Sequence, residues 1–310
     1  MAEPPYGVIW ECMKAVQVVP FLGSGASLTC RPPNACWEGE KTPFLPKSSE
    51  LSGFLATQAS FPSEDPKDKN DLAKVCSYYT DVSGRGQLRK TLRRLLLNKE
   101  FQPGELHKFL ASVPLNQVIV TTNYDTLLEQ ALTKAGRPYD LVIYPADRKD
   151  YANSVLWWPY GEPEGKFVAA KNLDIDFTKT TVIYKMHGTI MPDTDIWDNF
   201  VITEEDYVEF LSRMTAMTAV PKQINEYFRE RSFLFLGYSL SDWNLRVILK
   251  NLSKLFSSKR RTGQNEEIPS WAIQFKPSEL ERMLWENRGV KIFDLTLDEF
   301  VNKLKQWQEH

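Results

Sequence analysis

The chain has 310 residues, of which 42% are hydrophobic and 25% are charged, so it suits a folded globular protein and not a disordered one. A formal net charge of −2 gives no basic excess, which argues against nucleic acid as the main ligand. The N-terminus lacks the features of a secretory signal, and no apolar run approaches the roughly 18 residues of a membrane helix. We therefore expect a cytoplasmic protein without direct nucleic-acid or membrane binding.

Short apolar runs alternate with helical patterns along the chain. Buried strands are predicted at residues 16–22, 118–122, 181–186, 232–236, 271–275 and 290–295. Strands that alternate with helices are typical of βαβ units and of a parallel sheet. We therefore predict an α/β fold, a Rossmann-like doubly wound parallel sheet of about six strands with helical insertions, in a single domain over residues 1–310.

Three segments interrupt this alternation. Residues 28–47 are proline-rich and follow a glycine-rich turn, so we expect this loop to fold over a bound ligand. Residues 48–112 are predicted to be a helical insertion, and residues 139–180 an irregular, aromatic-rich one. The arginines at positions 89, 93 and 94 are more typical of a solvated helix face than of a nucleic-acid site.

The cysteines are few and scattered. None of the four forms a C-x-x-C pair, and no histidine lies near them at zinc-finger spacing. We therefore expect no metal site, and free thiols in a reducing compartment. The cysteines are Cys12, Cys30, Cys36 and Cys76.

Polar residues follow four of the predicted strands. Ligands of doubly wound sheets bind outside the carboxyl ends of the strands, so we predict that these four corners converge on one nucleotide. Glycine amides can receive phosphate, and an imidazole at a strand end can act as a general base. The corners are G-S-G-A-S at Gly23–Ser27, T-T-N-Y-D at Thr121–Asp125, H-G at His187 and Gly188, and G-Y-S-L-S-D at Gly237–Asp242.

Each corner also has a simpler explanation. A short glycine turn forms without any ligand, and Asn123 stands where an asparagine would cap a helix. Asp125 could merely complement a helix dipole, and a lone histidine such as His187 can be a hydrogen-bonded structural residue. The residue types leave these alternatives open for each corner. Taken together, the corners supply phosphate-binding amides, an amide side chain, a carboxylate and one titratable base, as a dinucleotide site requires.

In order and context, the motifs G-S-G-A-S, T-T-N-Y-D, K-M-H-G and G-Y-S-L-S-D resemble those of the sirtuin superfamily. They match that family's G-A-G-x-S turn, Q-N-x-D corner, H-G pair and later G-x-S. Thr122 stands where the family has Gln, and the cysteines of the zinc ribbon are missing. The motifs are most similar to the sirtuin-like NAD-hydrolase branch of bacterial antiphage-defence systems.

The resemblance implies hydrolysis of the nicotinamide–ribose bond of NAD+, with NAD as substrate and without a metal. Asn123 would hold the ribose or the attacking water, and His187 would be the general base, with an ordinary pKa near 6.5. The alternatives are a non-catalytic NAD- or ADP-ribose-binding module and, ranked lower, an NAD-dependent protein deacylase. The NAD contacts implied by the resemblance are Gly23, Ser24, Gly25, Ala26, Ser27, Thr122, Asp125, Gly237, Ser239 and Asp242.

Destruction of cellular NAD is toxic, so such an enzyme must be held inactive until it is needed. The resemblance therefore implies the effector of an abortive-infection defence system that depletes NAD. It further implies a homo-oligomer, controlled by a separate sensor or activator protein or by a sensor domain C-terminal to this segment.

Overall fold

A computed structural model describes residues 3–32, 34–98, 100–151, 153–216, 218–238 and 269–308. The strands are β1 Val18–Leu22, β2 Val118–Thr121, β3 Tyr139–Ile143, β4 Ser154–Trp158, β5 Lys166–Ala169, β6 Thr181–Lys185, β7 Gly188–Thr189, β8 Asn199–Phe200, β9 Ser232–Leu236, β10 Ser270–Gln274 and β11 Val290–Asp294. The helices are α1 Tyr6–Lys14, α2 Ser48–Gln58, α3 Pro66–Lys69, α4 Leu72–Ser83, α5 Arg85–Leu96, α6 Glu105–Ser112, α7 Leu127–Lys134, α8 Glu204–Thr215, α9 Lys222–Arg229, α10 Glu279–Glu286 and α11 Leu297–Gln308.

The main sheet contains nine of these strands, in the order β11-β10-β9-β1-β2-β6-β3-β4-β5. All pairs from β11 to β3 are parallel, and β4 and β5 extend the sheet as antiparallel strands. The predicted α/β fold with a parallel sheet is confirmed. The predicted number of about six strands was too low.

The additional strands come from residues 139–180, which were predicted to be irregular. Asp140 in β3 explains how this segment is held, because its buried carboxylate accepts three hydrogen bonds. The donors are Trp157 Nε1 at 2.8 Å, the Tyr160 amide at 3.1 Å and Thr180 Oγ1 at 3.1 Å. Trp157 of β4 is therefore a structural residue. Its indole is hydrogen-bonded to Asp140 and packs against an apolar layer near the edge of the sheet.

The strand β1 lies at the centre of the sheet, and all five of its residues are buried. It pairs with β2 on one side, where Phe21 faces Val120, and with β9 on the other, where Leu22 faces Leu236. The chain adds β2 and β6 on one side of β1 and returns later to add β9 on the other. The carboxyl ends of these strands therefore border a crevice at the point where the strand order reverses.

Helices cover both faces of the sheet. One apolar layer contains Phe21 and buried side chains of α8, α9 and α10, and the other contains Leu22 and buried side chains of α1, α6, α7 and α11. A third cluster contains Leu55 and Leu92, and it joins α2, α4 and α5 between β1 and β2. The helices predicted within residues 48–112 are present, and their apolar side chains share this cluster with buried side chains of α7 and β8.

The arginine-rich helix α5 makes ion pairs with other parts of the protein. The expectation of a merely solvated face was wrong, because three carboxylates from distant segments approach these guanidinium groups. The pairs are Arg89–Asp147 at 3.4 Å, Arg93–Asp198 at 2.8 Å and Arg94–Glu40 at 2.9 Å. The arginines thus connect the helical segment to the body of the domain.

The four cysteines are free, as predicted. Across the described ranges, no helix is long and apolar enough to cross a membrane. Within the same part of the chain, no group of three or more histidine, cysteine or acidic side chains is placed to hold a metal ion.

We expect Asp140→Ala to lower the free energy of unfolding by about 3 kcal/mol, because it leaves three donors at the sheet edge without their acceptor. Asp174→Ala is the matched control, since Asp174 is exposed and makes no hydrogen bond with the described residues. It should change the free energy of unfolding by less than about 0.5 kcal/mol. Urea unfolding of the two variants checks this, and equal stability would contradict the role of Asp140.

Candidate functional site

A cavity of about 350 Å³ opens at the carboxyl edge of the sheet, beside the end of β1. This volume lies within the range of small-molecule sites, roughly 300–1,000 Å³. The residues predicted from the motifs that line it are Ser24, Ser27, Thr122, Asn123, Asp125, His187 and Gly237. Gly23, Gly25 and Ala26 do not line it, whereas Ser239 and Asp242 fall outside the described residues.

The glycine turn after β1 packs directly against the backbone after β9. The Gly25 amide donates to the Gly237 carbonyl, and the Gly23 amide donates to the Leu236 carbonyl, both at 2.9 Å. A Cβ atom on Gly25 would lie 2.9 Å from Gly237 Cα. The glycines of this turn therefore permit the close approach of two backbone segments.

This contact uses amides that were predicted to bind phosphate. Besides the amides of Gly23 and Gly25, the Ala26 amide donates to the Gly23 carbonyl at 2.9 Å. Ser24 is exposed at the start of the 3-10 turn Ser24–Leu28 and lines the cavity. Within this turn, Ser24 and Ser27 are therefore the residues that line the cavity.

A chain of hydrogen bonds connects the first two corners. Asn123 Nδ2 donates to the Gly23 carbonyl at 2.9 Å and to Ser27 Oγ at 2.8 Å. Ser27 Oγ in turn donates to Asp125 Oδ2 at 2.6 Å. Because a carbonyl only accepts, the bond to Gly23 fixes the orientation of the Asn123 amide. Asn123 Oδ1 accepts no hydrogen bond from the described residues, so it is the atom of this side chain left for a ligand.

Asp125 contributes to both the helix and the cavity. Its Oδ1 atom accepts the amide of Leu127 at 3.0 Å, at the beginning of α7, while Oδ2 accepts Ser27 Oγ. Asp125 therefore accepts an amide at the start of α7 and also lines the cavity. A carboxylate at a helix N-terminus is also favoured by the helix dipole.

Thr122, the residue at the position of the sirtuin Gln, binds a tyrosine. Its Oγ1 atom lies 2.8 Å from Tyr238 Oη, which donates to the Leu22 carbonyl at 2.9 Å. The Tyr238 ring packs against Phe21, with 5.4 Å between the ring centroids. Tyr238 thereby joins the ends of β1, β2 and β9 and forms part of the cavity wall.

His187 follows β6 and is buried against aromatic rings. Tyr207 and Phe210 of α8 meet the imidazole edge-to-face, with centroids 5.4 and 5.0 Å away. Burial lowers the pKa of His187 from its ordinary value of 6.5 to about 3, so the imidazole is neutral near pH 7. The expected ordinary pKa is therefore wrong for this structure. Among the described residues, none gives the Nε2 atom a hydrogen-bond partner.

The opposite wall of the cavity is apolar and comes from the helical segment. It contains Leu45 and Pro46 from the proline-rich loop, together with Leu51, Leu72 and Leu96 from α2, α4 and α5. A bidentate ion pair between Arg31 and Glu50, at 2.5 and 2.6 Å, holds the loop against α2. The end of the loop therefore lines the cavity.

A family model for the SIR2-like domain matches residues 117–293, which is more than half of the chain. The chain belongs to the SIR2-like domain family. The matched range contains Asn123, Asp125 and His187 but begins after β1. The part played by the glycine turn of this SIR2-like domain therefore follows from the structure alone.

Curated relatives of this SIR2-like domain carry related names. "NAD(+) hydrolase ThsA" of Enterococcus faecium is 28% identical over 200 residues, which cover 64% of this chain and 35% of the relative. The protein of the same name from Acinetobacter baumannii is 29% identical, with 64% and 34% covered. "Defense-associated sirtuin 2" of Bacillus subtilis is 24% identical, with 60% and 15% covered. The matched region is thus about a third of each ThsA relative.

Several cavity residues of the SIR2-like domain were not predicted from the sequence. Tyr124 and Tyr238 lie inside the quoted motifs, where their aromatic character was a usable signal. Tyr207 and the leucines of the helical wall come from ordinary amphipathic helices. Since most residues of this kind only pack in a core, nothing in their spacing distinguished them.

We expect Gly25→Ala to lower the free energy of unfolding by about 2 kcal/mol, because the added methyl group meets the Gly237 backbone, which cannot rotate away. Gly53→Ala is the control, because Gly53 lies within α2 and has open space around its Cα atom. It should raise the free energy of unfolding by about 0.5–1 kcal/mol. Urea unfolding measures both, and a neutral Gly25→Ala would show that the turn can move apart from Gly237.

The two buried histidines make stability depend on pH. Burial lowers the pKa of His107 to about 4 and that of His187 to about 3. When the pH is below the ordinary histidine pKa of 6.5, the unfolded chain therefore binds more protons than the folded protein. Each histidine should therefore reduce stability by about 1.4 kcal/mol per pH unit as pH falls below about 6.5. This contribution should persist until pH reaches the folded-state pKa.

Urea unfolding between about pH 5 and about pH 6.5 isolates this effect, because most carboxylates titrate at lower pH. His187→Leu should flatten the pH dependence of the unfolding free energy by one histidine's share. An unchanged slope would mean that His187 is not desolvated.

Proposed function

We propose that this SIR2-like domain is an NAD+ hydrolase that cleaves the nicotinamide–ribose bond to give nicotinamide and ADP-ribose. One observation carries this proposal: Asn123, Asp125 and His187 line a single cavity at the strand-order reversal of a SIR2-like fold. The names of the ThsA relatives support the same reaction. In such a reaction, positive charge develops on the ribose as the bond breaks.

We assign the orientation of the reacting groups to Asn123. Its amide hydrogens are used by Gly23 and Ser27, so Oδ1 is available to accept a hydrogen bond from a ribose hydroxyl or from the attacking water. Because the Gly23 carbonyl holds the amide in one orientation, this acceptor is organised before a ligand binds. Such preorganisation lowers the barrier without any movement during the reaction.

Asp125 supplies a negative charge to the cavity wall. NAD+ carries a cationic pyridinium ring, and the ribose becomes cationic in the transition state. A carboxylate beside either group is favourable, and more so where water is excluded. The hydrogen bond from Ser27 Oγ keeps this carboxylate directed towards the first corner.

His187 is the proposed general base. The neutral imidazole can accept a proton from a ribose hydroxyl or from water, and Nε2 has the free hydrogen-bonding capacity for this step. Its low pKa makes it a weaker base than a solvated histidine. Positive charge that develops on the ribose makes its hydroxyl or the attacking water more acidic. Proton transfer to His187 is therefore favoured when the two events occur together.

The remaining contacts concern the rest of the dinucleotide. Ser24, Thr122 and Gly237 line the cavity and are proposed to face the phosphates and the adjoining ribose. Gly23, Gly25 and Ala26 are proposed to act indirectly, by holding the turn that presents the two serines. Ser239 and Asp242 are assigned to the adenosine side by their motif alone.

The biological setting is part of the proposal. The relative named "Defense-associated sirtuin 2" supports the role of a defence effector that depletes NAD. Such an effector must be triggered, so we propose an oligomeric protein controlled by a sensor, either a separate protein or a further domain. A cytoplasmic location follows, because NAD is a cytoplasmic metabolite.

Purified protein should release nicotinamide from NAD+, measured by chromatography. Asn123→Ala and His187→Ala should each lower kcat by about 100-fold to 10,000-fold, because they remove the orienting acceptor and the proton acceptor. Ser77→Ala is the control, since Ser77 is a polar residue of α4 that bonds Glu205 outside the cavity. It should retain wild-type turnover.

The same samples discriminate the alternatives. The low pKa of His187 favours a second candidate, a module that binds NAD or ADP-ribose without turnover. Calorimetry that detects binding while no nicotinamide is released would support that module. The absence of both binding and release would contradict both functions, and turnover of an acetyl-lysine peptide would indicate a deacylase.

A further inference from the structure

The strand β6 ends in a lysine that is completely buried. Lys185 has 0% of its side chain exposed and lies two residues before His187. Its Nζ atom lies 2.8 Å from Glu129 Oε1 in α7 and donates to the Asp125 carbonyl at 2.5 Å. A cation inside the sheet is therefore bonded to the backbone of a cavity residue.

Stability alone explains this lysine poorly. Removing an ammonium and a carboxylate from water is costly, and an apolar pair of similar shape often stabilises a core as well or better. All five residues of β6 are buried, and Lys185 lies opposite Thr121 in β2. An apolar side chain at this position would be typical of a central parallel strand.

The ammonium of Lys185 makes one hydrogen bond just before α7, to the Asp125 carbonyl, and one within α7, to the Glu129 carboxylate. Asp125 lies two residues before α7, and Glu129 lies in the first turn of this helix. The ammonium thereby connects the first turn of α7 to the end of β6. The main chain of β6 is itself bonded to β2, since the Met186 amide donates to the Thr121 carbonyl at 2.9 Å. Lys185 therefore holds the Asp125 carbonyl from a strand that is itself fixed in the sheet.

We propose that Lys185 is a positioning residue for the cavity. Held by Glu129, its ammonium fixes the Asp125 carbonyl, and this places the Asp125 carboxylate where it accepts Ser27 Oγ. Ser27 in turn accepts the amide of Asn123. Lys185 thus orders the Asn123–Ser27–Asp125 chain without contacting the ligand. The role serves the proposed hydrolysis and rests on it for its effect on turnover.

Two variants separate positioning from stability. In Glu129→Gln the amide oxygen still accepts from Lys185, which still donates to Asp125, but the buried ammonium loses its counter-charge. This variant should be less stable than wild type, with kcat of the folded protein within about threefold. In the double variant Lys185→Met/Glu129→Leu the shape is kept and no charge is buried, so it should be more stable than Glu129→Gln.

The double variant should nevertheless be the less active of the two. Since the Asp125 carbonyl loses its donor, we expect kcat to fall about 10-fold to 100-fold, with KM changed by less than about threefold. The matched control is Lys222→Met/Glu226→Leu, which makes the same substitutions in an exposed pair on α9. It should retain wild-type kcat and KM.

Hydrogen–deuterium exchange of residues 122–127 gives a readout that does not need turnover. The amides of this corner should exchange faster in Lys185→Met/Glu129→Leu than in wild type, Glu129→Gln or the α9 control. Wild-type exchange and wild-type kcat in the double variant would overturn the role, as would activities that simply follow stability. If the wild-type protein releases no nicotinamide, the proposed hydrolysis fails. The positioning role is then tested by exchange alone, and wild-type exchange in Lys185→Met/Glu129→Leu would overturn it.

Discussion

The contact between the glycine turn and Gly237 is the constraint on which the cavity depends. Gly25 and Gly237 bring two backbone segments, one after β1 and one after β9, within hydrogen-bonding distance at the point where the strand order reverses. Side chains at either glycine would force the segments apart. Because the turn is held there, Ser27 meets Asn123 and Asp125, which follow β2, and Tyr238 reaches the end of β1. The polar wall of the cavity is therefore a consequence of backbone packing.

The same polar groups serve structure and the proposed chemistry. Asp125 receives the first amide of α7 with one oxygen and Ser27 with the other, and Asn123 uses its amide hydrogens to join two corners. In the part of the chain that the structure describes, Asn123 Oδ1 accepts no hydrogen bond, and the bonds of the Asn123 amide hydrogens fix its direction. Because these groups are already hydrogen-bonded to one another, the cavity wall is organised before a ligand binds, which suits the proposed stabilisation of a short-lived cationic ribose.

The sequence was sufficient for features that depend on local patterns. Apolar runs followed by polar corners identified β1, β2, β6 and β9, and the order of the motifs identified the family. Features that depend on long-range packing were not predictable. The place of β4 beside β3 involves a buried Asp140 that accepts donors from three separate positions. The low pKa of His187 depends on burial against rings of α8 some twenty residues later. The leucine wall likewise exists only after the helical segment has packed across the sheet ends.

The central position of β1 also affects how the chain can be made. Leu22 and Tyr238, which are bonded to each other, are 216 residues apart, and all of β9 is synthesised long after β1. Pairings of such long range form slowly, and chains emerge from the ribosome with the N-terminal part first. Until β9 arrives, the apolar strand at the middle of the sheet has an open edge, and an open edge of this kind invites pairing with other chains. Truncated or stalled chains should therefore aggregate, and the cavity is complete only when almost the whole sheet has been synthesised.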